Sequence, residues 1–139
     1  MPPVERVQRE INAVKCLGNK LFGANVYDVV ARTGLIGVYG YHNGKPLLII
    51  IRTTGDFHPV KTLGEFKRIY QFIAQDTSIV LMRTDRATAA SSIGALMQHG
   101  YKITPLVIAE AEFKALSECR EDAVSKIINQ ILNAMRQTS

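Results

Sequence analysis

The side chains most open to a chemical reading are basic: Arg52, His58, Lys61, Lys67, Arg68, Arg83 and Arg86. Arg52 closes the apolar run PLLIIIR and Arg83 closes a second one, SIVLMR. If the two runs are neighbouring strands, their guanidiniums, with Arg86 just beyond, converge at one sheet edge and can bridge phosphates. His58 and Lys61 share a loop within reach of the same chemistry. Lys61, Lys67 and Arg68, with Tyr70 beside them, set cations and an aromatic on or around the segment that follows. Plain solvation of strand ends and loops accounts for the same charges. There are ten Phe and Tyr residues and no Trp, so a base-stacking platform has little support.

Charge sharpens this picture when the chain is divided. Of its 139 residues, 47% are hydrophobic and 21% charged, the balance of an ordinary globular domain, and the formal net charge is +5. Residues 1–70 hold ten Lys or Arg against five Asp or Glu, whereas residues 71–139 hold seven of each. All the excess positive charge thus lies in the first half, as expected of a partner to DNA or RNA phosphates, or simply of a soluble surface. No apolar run approaches the roughly 20 residues of a membrane helix. The opening MPPVERVQRE lacks an apolar signal core, so a cytoplasmic location is the expectation. Cys16 and Cys119 form no CxxC and are expected as reduced, buried thiols. His42, His58 and His99 lack metal-ligand spacing, and neither zinc nor haem is indicated.

Hydrophobic periodicity supplies the elements that would position these residues. Val4, Val7, Ile11, Val14, Leu17 and Leu21 recur at helical steps, with Pro2 and Pro3 before them and Gly23 after. Strands are predicted at 26–31, 35–41 and 46–52, the last two joined by the Asn43-Gly44 hairpin signal. Gly37 and Gly40 interrupt the second. The third is apolar on both faces and belongs in the middle of the sheet. A helix on Val60, Leu63, Phe66, Ile69, Tyr70 and Ile73 follows, then a strand at 78–83, an Ala-rich helix at 87–99 and a strand at 101–108. Pro105 directs that last strand to an edge. A closing helix over about 111–137 carries Val124, Ile127, Ile128, Ile131, Leu132 and Met135 on one stripe, suited to its own sheet or to a dimer seam. The order is α-β-β-β-α-β-α-β-α, an α/β domain with a mixed five-stranded sheet flanked by helices over 1–139. The segment Arg83–Thr88 leaves a strand and opens a helix, where open α/β sheets bind ligands, although Thr84 or Asp85 as a helix cap accounts for it too.

The stretch TGLIGVYGYHNGKPLLIIIRT, within the 80 or so residues from Val4 to SIVLMR, resembles the PD-(D/E)xK, or restriction-endonuclease-like, superfamily. The likeness is nearest to its archaeal Holliday junction resolvase branch. Where that family places an Asp on the second strand, this chain has Gly37. Where it places Glu-x-Lys on the third, this chain has Ile50, Ile51 and Arg52. Glu10 stands where an acid of the first helix often completes the family's site. Carboxylate oxygens hold Mg²⁺ and activate water in such sites, and an aliphatic side chain does neither. The rhythm of GVYGYHNGKPLLIIIR is also similar to the core strand pair of tRNA-splicing endonuclease subunits, non-catalytic members included. That family's Tyr/His/Lys set does not map onto Tyr41, His42 and Lys45, which crowd one turn.

The resemblance implies a nuclease-like fold without catalysis and without a cofactor. It would bind DNA or RNA backbone, or assemble with an active partner, through its basic face, and self-association as a homodimer is expected with it. The alternative is a Mg²⁺-dependent nuclease with displaced ligands Glu10, Asp28 and Asp56. For Asp28 an exposed strand face, and for Asp56 an Asx turn, are the plainer explanations. A third reading is a structural subunit or scaffold that ignores nucleic acid.

Overall fold

Both faces of one strand are apolar, and the sheet is arranged to cover them. In the computed structural model, which describes residues 4–23, 27–32, 35–53, 61, 63–65, 68, 76–84, 97–98 and 100–138, helix α1 (Val4–Phe22) precedes β1 (Tyr27–Arg32), β2 (Leu35–His42) and β3 (Lys45–Ile51). β4 (Ser78–Arg83), β5 (Lys102–Val107), α2 (Glu110–Ser117) and α3 (Glu121–Thr138) follow. Residues 61, 63–65 and 68 are helical between β3 and β4, as are 97 and 98 between β4 and β5. The strands lie in chain order, β1-β2-β3-β4-β5. β1, β2 and β3 form an antiparallel meander, and β3, β4 and β5 run parallel. This is the mixed, helix-flanked α/β sheet expected, with β3 at its centre and the Pro105 strand at its edge.

Asn43 and Gly44 close the β2–β3 hairpin, both with positive φ (51° and 77°), and His42 pairs with Lys45 across them. That is the two-residue loop whose twist matches its flanking strands. β2 runs unbroken through Gly37 and Gly40. The second of these glycines is a packing device: a Cβ on Gly40 would stand 2.9 Å from Tyr27 Cβ and 3.0 Å from the Phe22 ring. The rings of Phe22 and Tyr27 meet there at 5.5 Å, locking the end of α1 onto β1.

Strand alternation divides the core in two. Ile36, Val38, Leu47, Ile49, Ile51, Val80 and Met82 face α1, α2 and α3. Leu35, Leu48, Ile50, Ile79, Leu81 and Ile103 face the other way and pack with Leu63 and Tyr101. Leu47, Leu48 and Ile49 are wholly buried and Ile50 and Ile51 nearly so, each stabilising the fold by about 2 kcal/mol relative to exposure.

Two expectations for the C-terminal region are corrected. The single closing helix is two helices, because Cys119 adopts φ 56° and ends α2. The Arg120 amide donates to Ala115 O and the Cys119 amide to Leu116 O, the paired bonds of a Schellman turn with cysteine where glycine is usual. The two cysteines are not free thiols either: Cys16 of α1 and Cys119 are joined in a disulfide across 103 residues, with Cα atoms 5.6 Å apart. Spacing alone carries no sign of such a pairing, since it arises only when α1 packs beside the α2–α3 corner. The α3 stripe of Val124, Ile127, Ile128, Ile131 and Met135 is buried in the chain's own core. Among the described residues no helix is long and apolar enough to cross a membrane.

Reduction with dithiothreitol, or Cys119→Ser, is expected to lower stability by about 4 kcal/mol, the loop-closure entropy released when a bond spanning ~100 residues is cut. The thermal melt should fall by roughly 10 °C. A melt that does not move on reduction would show that this bond contributes nothing to the folded state.

Candidate phosphate-facing end of the sheet

The carboxyl ends of the three parallel strands gather the polar residues of the fold. Beyond β3, the Arg52 amide donates to Met82 O at 3.1 Å, and beyond β5 the Ile108 amide donates to Arg83 O at 2.9 Å, so the ladders extend past both strand ends. Alternation then sorts the side chains between the two faces.

On the α1 face, one polar network, buried at Glu10 and Thr53 and open to water at Glu110, joins α1, the end of β3 and α2. The amide and hydroxyl of Thr53 both donate to Oε2 of Glu10, at 2.7 and 2.9 Å. Glu10 and Thr53 are 4% and 5% exposed, so each needs the other to satisfy its polar groups out of water. Arg6, one helical turn before Glu10, donates from Nε to Thr53 Oγ1 at 2.8 Å. Its two terminal nitrogens grip Glu110 as a fork, both at 2.7 Å, and Nη2 also reaches Thr84 Oγ1 at 3.4 Å. The guanidinium lies 4.5 Å above the Phe113 ring, a cation–π contact that seats it on α2. The hydrogen bonds from Arg6 hold the Glu110 carboxyl below its ordinary pKa against the opposing effect of burial, and the same bonding raises Arg6. The sequence pattern does not show Arg6, Thr53, Thr84, Glu110 and Phe113 as one group, and for Thr84 it offers only a helix cap. The one legible sign was Arg6 and Glu10 at i, i+4 beside an apolar stripe.

On the opposite face, Arg52 and Arg83 lie at the ends of adjacent parallel strands, two residues beyond Ile50 and Leu81 of the second core. Arg52 is half-buried, while Arg83 is 3% exposed and so cannot reach out to a bulky ligand. Lys61 and Arg68 are helical and exposed. His58, Lys67, Arg86 and Asp56 lie outside the described residues, as does most of the expected helix at 87–99.

The residues assigned to a nuclease centre are divided by the sheet. Gly37 and Ile50 are register partners, and Ile50 packs in the core away from α1. Glu10 comes from the α1 side. Asp28 is exposed on edge strand β1, opposite Tyr39, whose ring packs against the core away from Glu10. Side chains on the α1 face at the matching depth are Ile36 and Ile51, which carry no carboxylate either. Tyr41 is likewise parted from His42 and Lys45: it alternates to the far face, and its ring meets Tyr39 at 6.2 Å. Among the described residues no three His, Cys, Asp or Glu side chains lie close enough to hold a metal ion. Set against models of known families, characterised proteins and solved structures, the chain matches none.

Two variants test the network. Arg6→Ala should return the Glu110 carboxyl to the ordinary carboxylate range, visible as an upward shift in a ¹³C-detected titration. The sign is that of a depressed carboxylate: the stability it lends is present above the unfolded pKa and is lost as pH falls through the folded one. That share is modest, since Glu110 is largely exposed and water screens the pair. Glu10→Ala leaves the Thr53 amide and hydroxyl without their buried acceptor and should cost about 3 kcal/mol in denaturant unfolding. A Glu110 titration identical in the Arg6 variant would remove the fork from the description.

Proposed function

We propose that this chain is a nucleic-acid-binding or assembly domain of restriction-endonuclease-like architecture that does not itself cut phosphodiesters. The observation that carries the reading is the placement of Arg52 beside Arg83 at the carboxyl ends of parallel neighbours β3 and β4, with Lys61 and Arg68 exposed in the segment that follows. In open α/β sheets that end is where ligands dock. Arg52, Lys61 and Arg68 are the groups that touch phosphate in this reading, and buried Arg83 adds positive potential beneath them. Further support is the helix, three-strand meander and parallel strand in the order that the resembled superfamily uses.

Glu10 then has a structural role. Its Oε2 is taken up by two donors of Thr53, and Asp28 lies on the other side of the sheet. Self-association belongs to this reading through a surface other than the α3 stripe, which is core. A cytoplasmic site of action belongs to it as well. The Cys16–Cys119 bond then calls for a cytoplasm that tolerates disulfides, as in hyperthermophiles.

Binding to labelled duplex, four-way junction, single strand and RNA is the test, in Mg²⁺ and without it. Three to four neutralised phosphates give a slope of log affinity against log salt of about −3, or roughly a hundredfold loss between 50 and 200 mM. Arg52→Gln should reduce the slope by about 1 and weaken all sequences alike. Salt-independent affinity, or an Arg52→Gln variant that binds as the wild type does, would remove the reading. Mg²⁺-dependent cleavage would return the displaced-ligand nuclease.

A further inference from the structure

A second basic site sits at the other end of the sheet, under the β2–β3 hairpin. A cavity of about 240 Å³ opens between that hairpin and the last turns of α3, lined by His42, Asn43, Lys45, Leu132, Met135 and Arg136. Three of the six are basic and none is acidic. His42 and Lys45 pair directly across the two-residue turn, so their side chains leave the same face of the sheet, toward the helices. Leu132 and Arg136 are one helical turn apart on α3, which stacks an apolar wall and a guanidinium on one side of the opening.

The imidazole is oriented from behind. His42 Nδ1 lies 2.9 Å from the carbonyl oxygen of Leu21, at the end of α1. A carbonyl only accepts, so Nδ1 carries the proton and donates, and the other ring nitrogen, Nε2, points away from α1. The turn that holds Lys45 is fixed by the positive φ of Asn43 and Gly44, so its flexible side chain springs from a rigid corner. Met135 is buried against the core and Leu132 half-buried, which gives the cavity a firm apolar wall.

We infer that this cavity binds a phosphate monoester, its phosphate held by Lys45 and Arg136 beside the His42 ring and its organic part resting on Leu132 and Met135. A guanidinium matches two phosphate oxygens through parallel N–H bonds, an ammonium serves as a point charge, and the small volume suits a compact ester. The site is independent of the reading proposed for Arg52: it uses different residues, at the opposite end of β3.

The test is titration of the full-length protein with phenyl phosphate, followed by calorimetry and by the ¹⁵N signals of the His42 ring, with Lys45→Gln and Arg136→Gln alongside. Both positions are exposed, and unchanged melting curves would certify that both variants are folded. Saturable binding in the millimolar range or tighter is expected, weakened about tenfold or more in each variant, the loss of one charge-assisted contact. The absence of saturable binding, or equal affinity in wild type and both folded variants, would overturn the assignment. Competition by a 5′-phosphorylated oligonucleotide but not by its 5′-hydroxyl twin upholds the site and gives its source as a nucleic-acid end. Phenyl phosphate binding that neither oligonucleotide disturbs upholds it with a small phosphorylated molecule as the source. Arg52→Gln, which leaves this cavity untouched, should bind phenyl phosphate as the wild type does, so failure at one end of the sheet is separable from failure at the other.

Discussion

The burial of β3 on both faces is the constraint from which the rest of the structure follows. Five consecutive aliphatic side chains, Leu47 to Ile51, cannot be covered from one side, because alternate residues point opposite ways. A strand of this kind needs a neighbour on each edge and a helical layer on each face. β2 and β4 supply the edges, and α1, α2 and α3 cover one face while Leu63 and Tyr101 pack on the other. Polar chemistry is thereby excluded from the middle of the sheet and displaced to its two ends. Both basic regions, the one around Arg52 and the one around Lys45, stand at those ends for that reason.

The layer on the α1 face is secured by polar interactions as well as by packing. Arg6 donates to β3 through Thr53 and to α2 through Glu110, while Glu10 accepts from the Thr53 amide where the strand gives out. Polar groups buried as Glu10 and Thr53 are need matched donors and acceptors, and the match continues through Arg6 to the solvent-exposed Glu110. At the opposite end of α2 the Cys16–Cys119 bond ties the helix corner back to α1. Cys119 sits in the left-handed region that a glycine would occupy at lower strain.

This arrangement bears on the nuclease resemblance read in the strand-turn-strand sequence. A metal-dependent centre needs carboxylates projecting into one space from a helix and from two strands. In this chain the helix acid is engaged with Thr53, and the register partners Gly37 and Ile50 face the other layer. A strand position changes face with every single step, so the distance between an Ile50 and an Ile51 equivalence is the whole thickness of the sheet. Neither alternative supplies an acid.

The sequence by itself determined the five strands, the order of the elements and a mixed sheet flanked by helices. Helical steps from Val4 to Leu21, unbroken aliphatic character from Pro46 to Ile51, Asn43-Gly44 and Pro105 each act through local sterics or period, and those act within a few residues of chain. That Arg52 and Arg83 each close an apolar run was legible too, but their approach rested on those runs being neighbours, which the pairing of β3 with β4 supplies. What only tertiary structure decided were the long-range pairings: Arg6 with Glu110, Glu10 with Thr53, Cys16 with Cys119, and the cavity that brings Arg136 to Lys45. It also decided the break in the C-terminal helix, where a cysteine takes the conformation that the pattern reserves for glycine. Each of these depends on how helices cross the sheet and on which turn of one element faces which turn of another. Hydrophobic period specifies that a helix face is buried but leaves open its partner, since burial has no direction along the chain, whereas hydrogen bonds, ion pairs and disulfides form only where that packing has already placed the atoms.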